Sequence, residues 1–334
     1  MHYNCPVMAV IIVLGPQRLR PILGRVVADQ GIDGRIAAIT AGWQEREAED
    51  DELAEHLSGR TVNLRLYRRA EQVQSEDPEM AAAYRERQNS IKRAQVLYRL
   101  RLDHAMAAVR DLMGRNGDSE WLEADQDAAF DEVRRLDDEH LERVSEVHED
   151  FFSEWTPFER PAVRKHRLEL AEILAGCDAV AVAGGHVAVL LNRLRLFGMD
   201  ELFDDLPILA WSAGAMALGR RVVLFHDSPP QGFGNAELLD SGLGLYRRML
   251  VMPHARRRLK IDNPRRVTEL ARRFAPRVCV PLDDGDYFKI DGTTLWAEAP
   301  MRRLTVDGRV EKLQSSTSRA KKSRSKRRAA TARR

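Results

Sequence analysis

Leu206-Pro207-Ile208-Leu209-Ala210-Trp211-Ser212-Ala213-Gly214-Ala215-Met216-Ala217-Leu218-Gly219 is the stretch whose reading decides the fold. A short apolar run behind a proline predicts a buried strand, and the small, Ala-rich segment after it predicts a helix. Ser212 therefore falls at a strand-to-helix turn, the layout of a nucleophile elbow. Small neighbours, Ala210, Ala213 and Gly214, let the backbone turn sharply and leave the hydroxyl protruding at the carboxyl end of the sheet. The helix amino terminus points free N–H groups at the same spot, where an oxyanion would form. On these residues alone Ser212 reads equally well as a helix cap.

The flanking sequence supplies the sheet. Val7 to Leu14 is a continuous apolar run, as in a strand buried on both faces. A helix over residues 17–30, a turn from Gly31 to Gly34, a strand from Arg35 to Thr40, a charged helix over 45–57 and a strand from Thr61 to Tyr67 follow. Ala179 to Ala183 reads as a fourth strand running into Gly184-Gly185-His186, and a helix begins at Val187. Alternating strands and helices predict an α/β protein with a doubly wound, mostly parallel sheet.

Between residues 68 and 165 the sequence shows no strand. Helices over 78–113 and 119–152 are predicted, the second with Leu122, Ala129, Val133, Leu136, Leu141, Val144, His148 and Phe151 along one seam. This is an inserted helical hairpin, and a homodimer contact through residues 78–152, a lid and a solvated hairpin all remain open for it. Another helix covers 158–176. After Asp284, the Asp291-Gly292 and Asp307-Gly308 pairs predict antiparallel hairpins. Residues 1–67 and 166–312 then form the sheet domain, 68–165 the insertion and 313–334 a disordered basic tail.

Formal net charge is +2 over 334 residues, yet nine Lys or Arg and no acid lie between Arg319 and Arg334, so the body is mildly acidic. The tail suits non-specific contact with nucleic acid, and it has no aromatic residue for base stacking. Cys5, Cys177 and Cys279 are too dispersed for a disulfide framework or a metal site, so no metal and no cofactor are expected. Val7 to Leu14 is too short to span a bilayer and lacks a basic leader, which predicts a cytoplasmic protein without membrane contact.

Together, the Gly-Gly after a strand, the Trp-Ser-Ala-Gly-Ala elbow, an Asp-x-Pro segment and a later Pro-His resemble the S51 serine peptidases, the family of peptidase E and cyanophycinase. The resemblance covers residues 7–67 loosely and 166–290 more closely. It implies a flavodoxin-like sheet of the class I glutamine amidotransferase type, with a serine in place of the amidotransferase cysteine. Ala210 to Ala215 match the family's Gly-Trp-Ser-Ala-Gly-Ala except at the first position. Phe225-His226-Asp227-Ser228-Pro229 is similar to its Thr-Asn-Asp-Met-Pro, Met252-Pro253-His254 to its Asn-Pro-His, and Leu282-Asp283-Asp284 to its Ile-Asp-Glu.

A serine hydroxyl needs a histidine to take its proton and a carboxylate to orient that histidine. The resemblance places Ser212, His254 and Asp284 in those roles, with Asp227 as the alternative acid. The Gly185 and Ala213 amides are the expected oxyanion hole, and Gly184, His186, Asp227 and Arg258 the expected substrate contacts. Arg258 stands in a contiguous Arg256-Arg257-Arg258 run that cannot all face one pocket, and a solvated basic face is an equal reading. The implied function is a serine-type peptidase working through an acyl-enzyme on a small, acidic peptide. The alternative is an inactive amidotransferase-like binding module that uses the hairpin and the tail. An ordinary α/β-hydrolase fits less well, because its histidine usually follows its acid.

Overall fold

A computed structural model of the chain describes residues 10–115, 117, 120–203, 205–225, 234–291, 294–296 and 301–313, with side-chain surroundings given outside 292–300. The expected basic tail, Asp227 and the start of the Val7 run lie outside the described residues.

The first half runs β1 (Ile11–Leu14), α1 (Leu23–Asp29), β2 (Ile36–Ile39), a 3-10 segment (Ala41–Arg46), α2 (Asp51–His56), β3 (Thr61–Asn63) and α3 (Leu66–Glu76). Two long helices follow, α4 (Pro78–Gly114) and α5 (Glu120–Trp155), and then α6 (Pro161–Ala175). The sheet resumes with β4 (Ala179–Val182), α7 (Val187–Leu196), α8 (Met199–Leu202), β5 (Ile208–Trp211) and α9 (Ala213–Leu218). The remainder is β6 (Val222–Leu224), β7 (Glu237–Asp240), β8 (Met249–Pro253), α10 (Ala255–Arg258), α11 (Pro264–Phe274) and β9 (Val278–Leu282). The chain closes with β10 (Tyr287–Asp291), β11 (Thr294–Trp296), β12 (Arg302–Leu304) and β13 (Val310–Lys312).

Seven strands form the main sheet in the order β11-β10-β1-β5-β4-β2-β3. The pairs from β1 to β3 along this order are parallel, and β10 and β11 add an antiparallel edge. Each central strand is apolar throughout because it feeds two cores. Ile11, Val13, Val180, Val182, Ile208 and Ala210 face the core under α3, α6, α7 and α9. Ile12, Leu14, Ala179, Ala181, Leu209 and Trp211 face the other, under α1 and α2. Period-two alternation between two helix layers is what a doubly wound sheet requires. The connection after β2 goes to one side and that after β4 to the other, so a topological switch point lies between their carboxyl ends.

Several boundaries differ from the sequence reading. The expected helix over 45–57 is instead the end of the 3-10 segment, which is itself bent at Gln44 (φ 61, ψ −128), then a break over residues 47–50, then α2. Thr40 Oγ1 and Asn63 Nδ2 both bind the Glu47 carbonyl oxygen at 2.9 Å, holding the break against the sheet. The third strand stops at Asn63, and Tyr67 belongs to α3. The Glu47 carboxylate accepts the Tyr67 and Arg68 N–H groups at 2.8 and 3.0 Å and so satisfies the first turn of that helix. Because α3 packs on the main core, the part of the insertion that leaves the sheet domain is α4 and α5 rather than everything from residue 68.

The hairpin is neither solvated nor detached. Met80 and Tyr84 of α4 and Phe151 of α5 join the main core. Farther out, Tyr98, Leu102, Met106, Phe130 and Val133 form a third core with β6, β7, β8 and α11. At its centre Arg273 of α11, 2% exposed, donates to both Asp137 oxygens and to the Tyr98 hydroxyl at 2.8–3.0 Å. Of the expected seam, Ala129, Val133, Leu136, Val144, His148 and Phe151 are buried, whereas Leu122 and Leu141 are half-exposed. Among the described residues, no helix is long and apolar enough to cross a membrane.

Candidate active site

β5 delivers Ser212 to the carboxyl end of the sheet, where the residue takes φ 49, ψ −120 and starts α9. A helix cap would use its hydroxyl on the N–H groups of the first turn, and Ser212 makes no such bond. The hydroxyl faces instead a second strained residue. His254, with φ 58, follows β8 and caps the short α10. Its Nε2 lies 3.5 Å from Ser212 Oγ.

β8 pairs only with β9 in the described structure, so His254 arrives on a separate two-stranded parallel unit, docked beside α9. The imidazole is half-buried. Burial holds its pKa below the ordinary histidine value, and the Arg258 cation beside it acts in the same direction, while Asp284 and Asp283 oppose them. The ring is therefore neutral and able to accept a proton at neutral pH.

The third face of the site comes from β4. Gly184 passes so close to the serine that a Cβ there would sit 2.9 Å from Ser212 Cβ. Gly185 has φ +113, and a Cβ on it would meet the Gly42 carbonyl oxygen at 2.3 Å. The His186 N–H donates to that same oxygen at 2.7 Å, which fixes the turn. Among the described residues, the Gly185 and Ala213 N–H groups make no hydrogen bond, so both remain open to a ligand oxygen.

Around these groups is a cleft of about 980 Å³ at the switch point, lined by Ser212, His254, Gly184, Gly185, His186 and Arg258. His186 is exposed, and its Nδ1 accepts the Val189 N–H at 3.3 Å, so it caps α7 at the cleft rim. Arg258 donates to the Phe225 carbonyl oxygen at 2.7 Å, and it alone of the three consecutive arginines lines the cleft. The expected contact between Asp284 and His254 is electrostatic: among the described residues, no hydrogen bond joins them. Asp283 instead accepts the Arg256 N–H at 3.0 Å.

Sequence reasoning missed the outer arm of the cleft, formed by Gln17, Arg18, Trp43, Arg46, Glu49 and Glu52. Trp43 follows the carboxyl end of β2, but the bend at Gln44 next to it had no sequence signal. Among the described residues, no three His, Cys, Asp or Glu side chains gather as a metal site, and Cys177 and Cys279 are buried free thiols.

A strained serine facing a neutral histidine, beside open backbone amides at the end of a parallel sheet, is the arrangement of an α/β protein built around a serine–histidine pair. The sequence profile of peptidase family S51 matches residues 132–296, a span that includes the elbow, the Gly-Gly turn and His254. Over that span the chain is similar to peptidase family S51. Among solved structures, the crystal structure of a peptidase from an acI-B1 Actinobacterium is similar over 92% of this chain and 95% of that chain, at 11% sequence identity and a TM-score of 0.45. No curated protein matches the sequence.

Proposed function

We propose that the protein is a serine-type peptidase acting on a small, acidic peptide through an acyl-enzyme. The observation that carries this reading is the 3.5 Å approach of Ser212 Oγ to His254 Nε2. That distance exceeds the roughly 2.6–3.2 Å of a working proton transfer, and such contacts tighten when substrate binds.

His254 Nε2 takes the hydroxyl proton as Ser212 Oγ attacks the amide carbonyl carbon. The Gly185 and Ala213 N–H groups stabilise the oxyanion, a contribution of about 3 kcal/mol per donor in comparable sites. His254 then passes its proton to the leaving amine as the C–N bond breaks. Water, deprotonated by the same histidine, attacks the acyl-serine ester; the bond to Ser212 Oγ breaks, His254 returns its proton to that oxygen, and the acid product leaves. Asp284 stabilises the imidazolium by its charge, with Asp227 as the alternative acid. Gly184 and His186 shape the pocket, and Arg258 pairs with an acidic group of the substrate.

The inactive binding-module reading requires a Ser212 that no histidine can reach, and the 3.5 Å separation favours the enzyme instead. Hydrolysis of a panel of acidic and neutral dipeptides tests the reading. We expect turnover of the acidic members by the wild type and its loss in a folded Ser212→Ala variant; equal turnover by that variant would contradict it.

A further inference from the structure

The turn after β9 places three carboxylates, Asp283, Asp284 and Asp286, within four residues beside the loop that carries His254. Their hydrogen bonds sort them. Asp283 Oδ1 accepts the Arg256 N–H at 3.0 Å, tying the turn to the segment two residues beyond His254. Asp283 Oδ2 and Asp286 Oδ2 both accept from Arg302 Nη2, at 2.9 and 2.8 Å. Asp286 Oδ2 also accepts the Asp283 N–H at 2.9 Å, and the Asp286 carbonyl oxygen accepts the Gly15 N–H at 2.8 Å, which docks the turn on the end of β1. Asp284 makes no hydrogen bond among the described residues. Its charge bears on His254 together with that of Asp283, against Arg257 and Arg258 from the histidine's own helix.

We infer that Arg302, on the β12–β13 hairpin outside the main sheet, is a positioning residue for His254. By neutralising Asp283 and Asp286 it fixes the turn against the histidine loop and leaves Asp284 as the unpaired carboxylate of this turn. The Arg302 side chain is only 20% exposed and its two partners 18% and 27%, so the pairings are less screened than those of a surface ion pair. This inference rests on the serine-peptidase reading and adds to it a residue from a segment that the elbow and the Pro-His motif do not reach.

The test combines the pH dependence of labelling by a fluorophosphonate probe with NMR titration of the His254 ring in the full chain. In Arg302→Met, Asp286 loses its counter-charge and Asp283 keeps only Arg256, 3.7 Å away, so the turn holds the imidazolium more strongly. The His254 midpoint and the acid limb of labelling then move together to higher pH, and the plateau rate falls about tenfold or more as the ring loses its alignment. Arg302→Lys, which keeps the charge, returns the midpoint to its wild-type position. Asp286→Asn keeps an acceptor for the Asp283 N–H but removes one carboxylate, so it moves the midpoint the opposite way and serves if Arg302→Met does not fold. A purely structural role would lower thermal stability and leave the midpoint in place. A folded wild type that takes no label at any pH overturns the peptidase reading and this inference with it. A wild type that labels, while Arg302→Met keeps both midpoint and plateau, or while Asp286→Asn standing in for it leaves the midpoint unmoved, overturns the inference alone.

Discussion

Ser212 carries its hydroxyl on a backbone conformation that most side chains avoid. Its φ of 49 places the Cβ in a sparsely populated region, at a cost of about 1–3 kcal/mol. The surrounding packing maintains that strain: α9 is buried along its whole length and Gly184 presses on the serine Cβ. Replacing Ser212 by Gly relieves the strain, whereas Ala retains the Cβ that causes it. Denaturant titration should therefore find Ser212→Gly as stable as Ser212→Ala or more so, by about 1 kcal/mol, even after the greater chain entropy of glycine is charged against it. An Ala variant that is clearly the more stable would show that the elbow is not strained. The strand-to-helix turn was legible at this scale because an apolar run and small residues flank the serine, whereas the choice between elbow and cap was not, since it depends on where His254 is brought. The break after Arg46 was not legible either, since it is held by the Thr40 and Asn63 side chains on the Glu47 carbonyl oxygen, from 7 and 16 positions away.

At the scale of elements, the long hairpin gains its stability from what it docks on. The sequence showed two amphipathic helices and their seam, but assigned no element to residues 264–274 and so could not supply the partner. That partner is α11, whose Arg273 is buried against Asp137 of α5 and Tyr98 of α4. Asp137 is fully buried, and removing it leaves a buried guanidinium without its counter-ion. Asp137→Ala should cost about 3–5 kcal/mol in equilibrium denaturation. Arg101→Ala, which breaks only the exposed pair with Glu139, should cost under about 1 kcal/mol. Equal effects would mean that the buried network does not anchor the hairpin. The parallel strands were legible for the opposite reason: burial on both faces writes itself into a continuous apolar run. The β8–β9 unit was not, because a two-stranded piece beside the main sheet leaves no distinct pattern.

At the scale of the whole molecule, buried histidines make folding sensitive to acid. His140 is 2% exposed and stacked on Tyr98 at 4.1 Å, and burial pushes its pKa down to about 4 against the pull of Asp137 and Asp240. His148, His166 and His254 are shifted the same way, each chiefly by burial. An unfolded chain protonates these rings near pH 6.5, whereas the folded chain resists, so the unfolded state binds more protons and stability falls as pH drops from about 6.5 to about 4. His140 alone accounts for about 3 kcal/mol of that loss. His140→Phe, which retains the stack, should flatten this limb of the stability profile; an unchanged limb would place the acid sensitivity elsewhere.

The central claim is that the fold brings an activated serine to the end of the sheet. The most direct measurement is labelling of the purified chain with a fluorophosphonate probe, the modified residue being located by mass spectrometry, with Ser212→Ala and His254→Ala alongside. The account predicts labelling at Ser212, lost in both variants, with an acid limb below the ordinary histidine pKa because burial and Arg258 disfavour the imidazolium. A folded wild type that is not labelled, or a His254→Ala variant labelled as fast as the wild type, would contradict it.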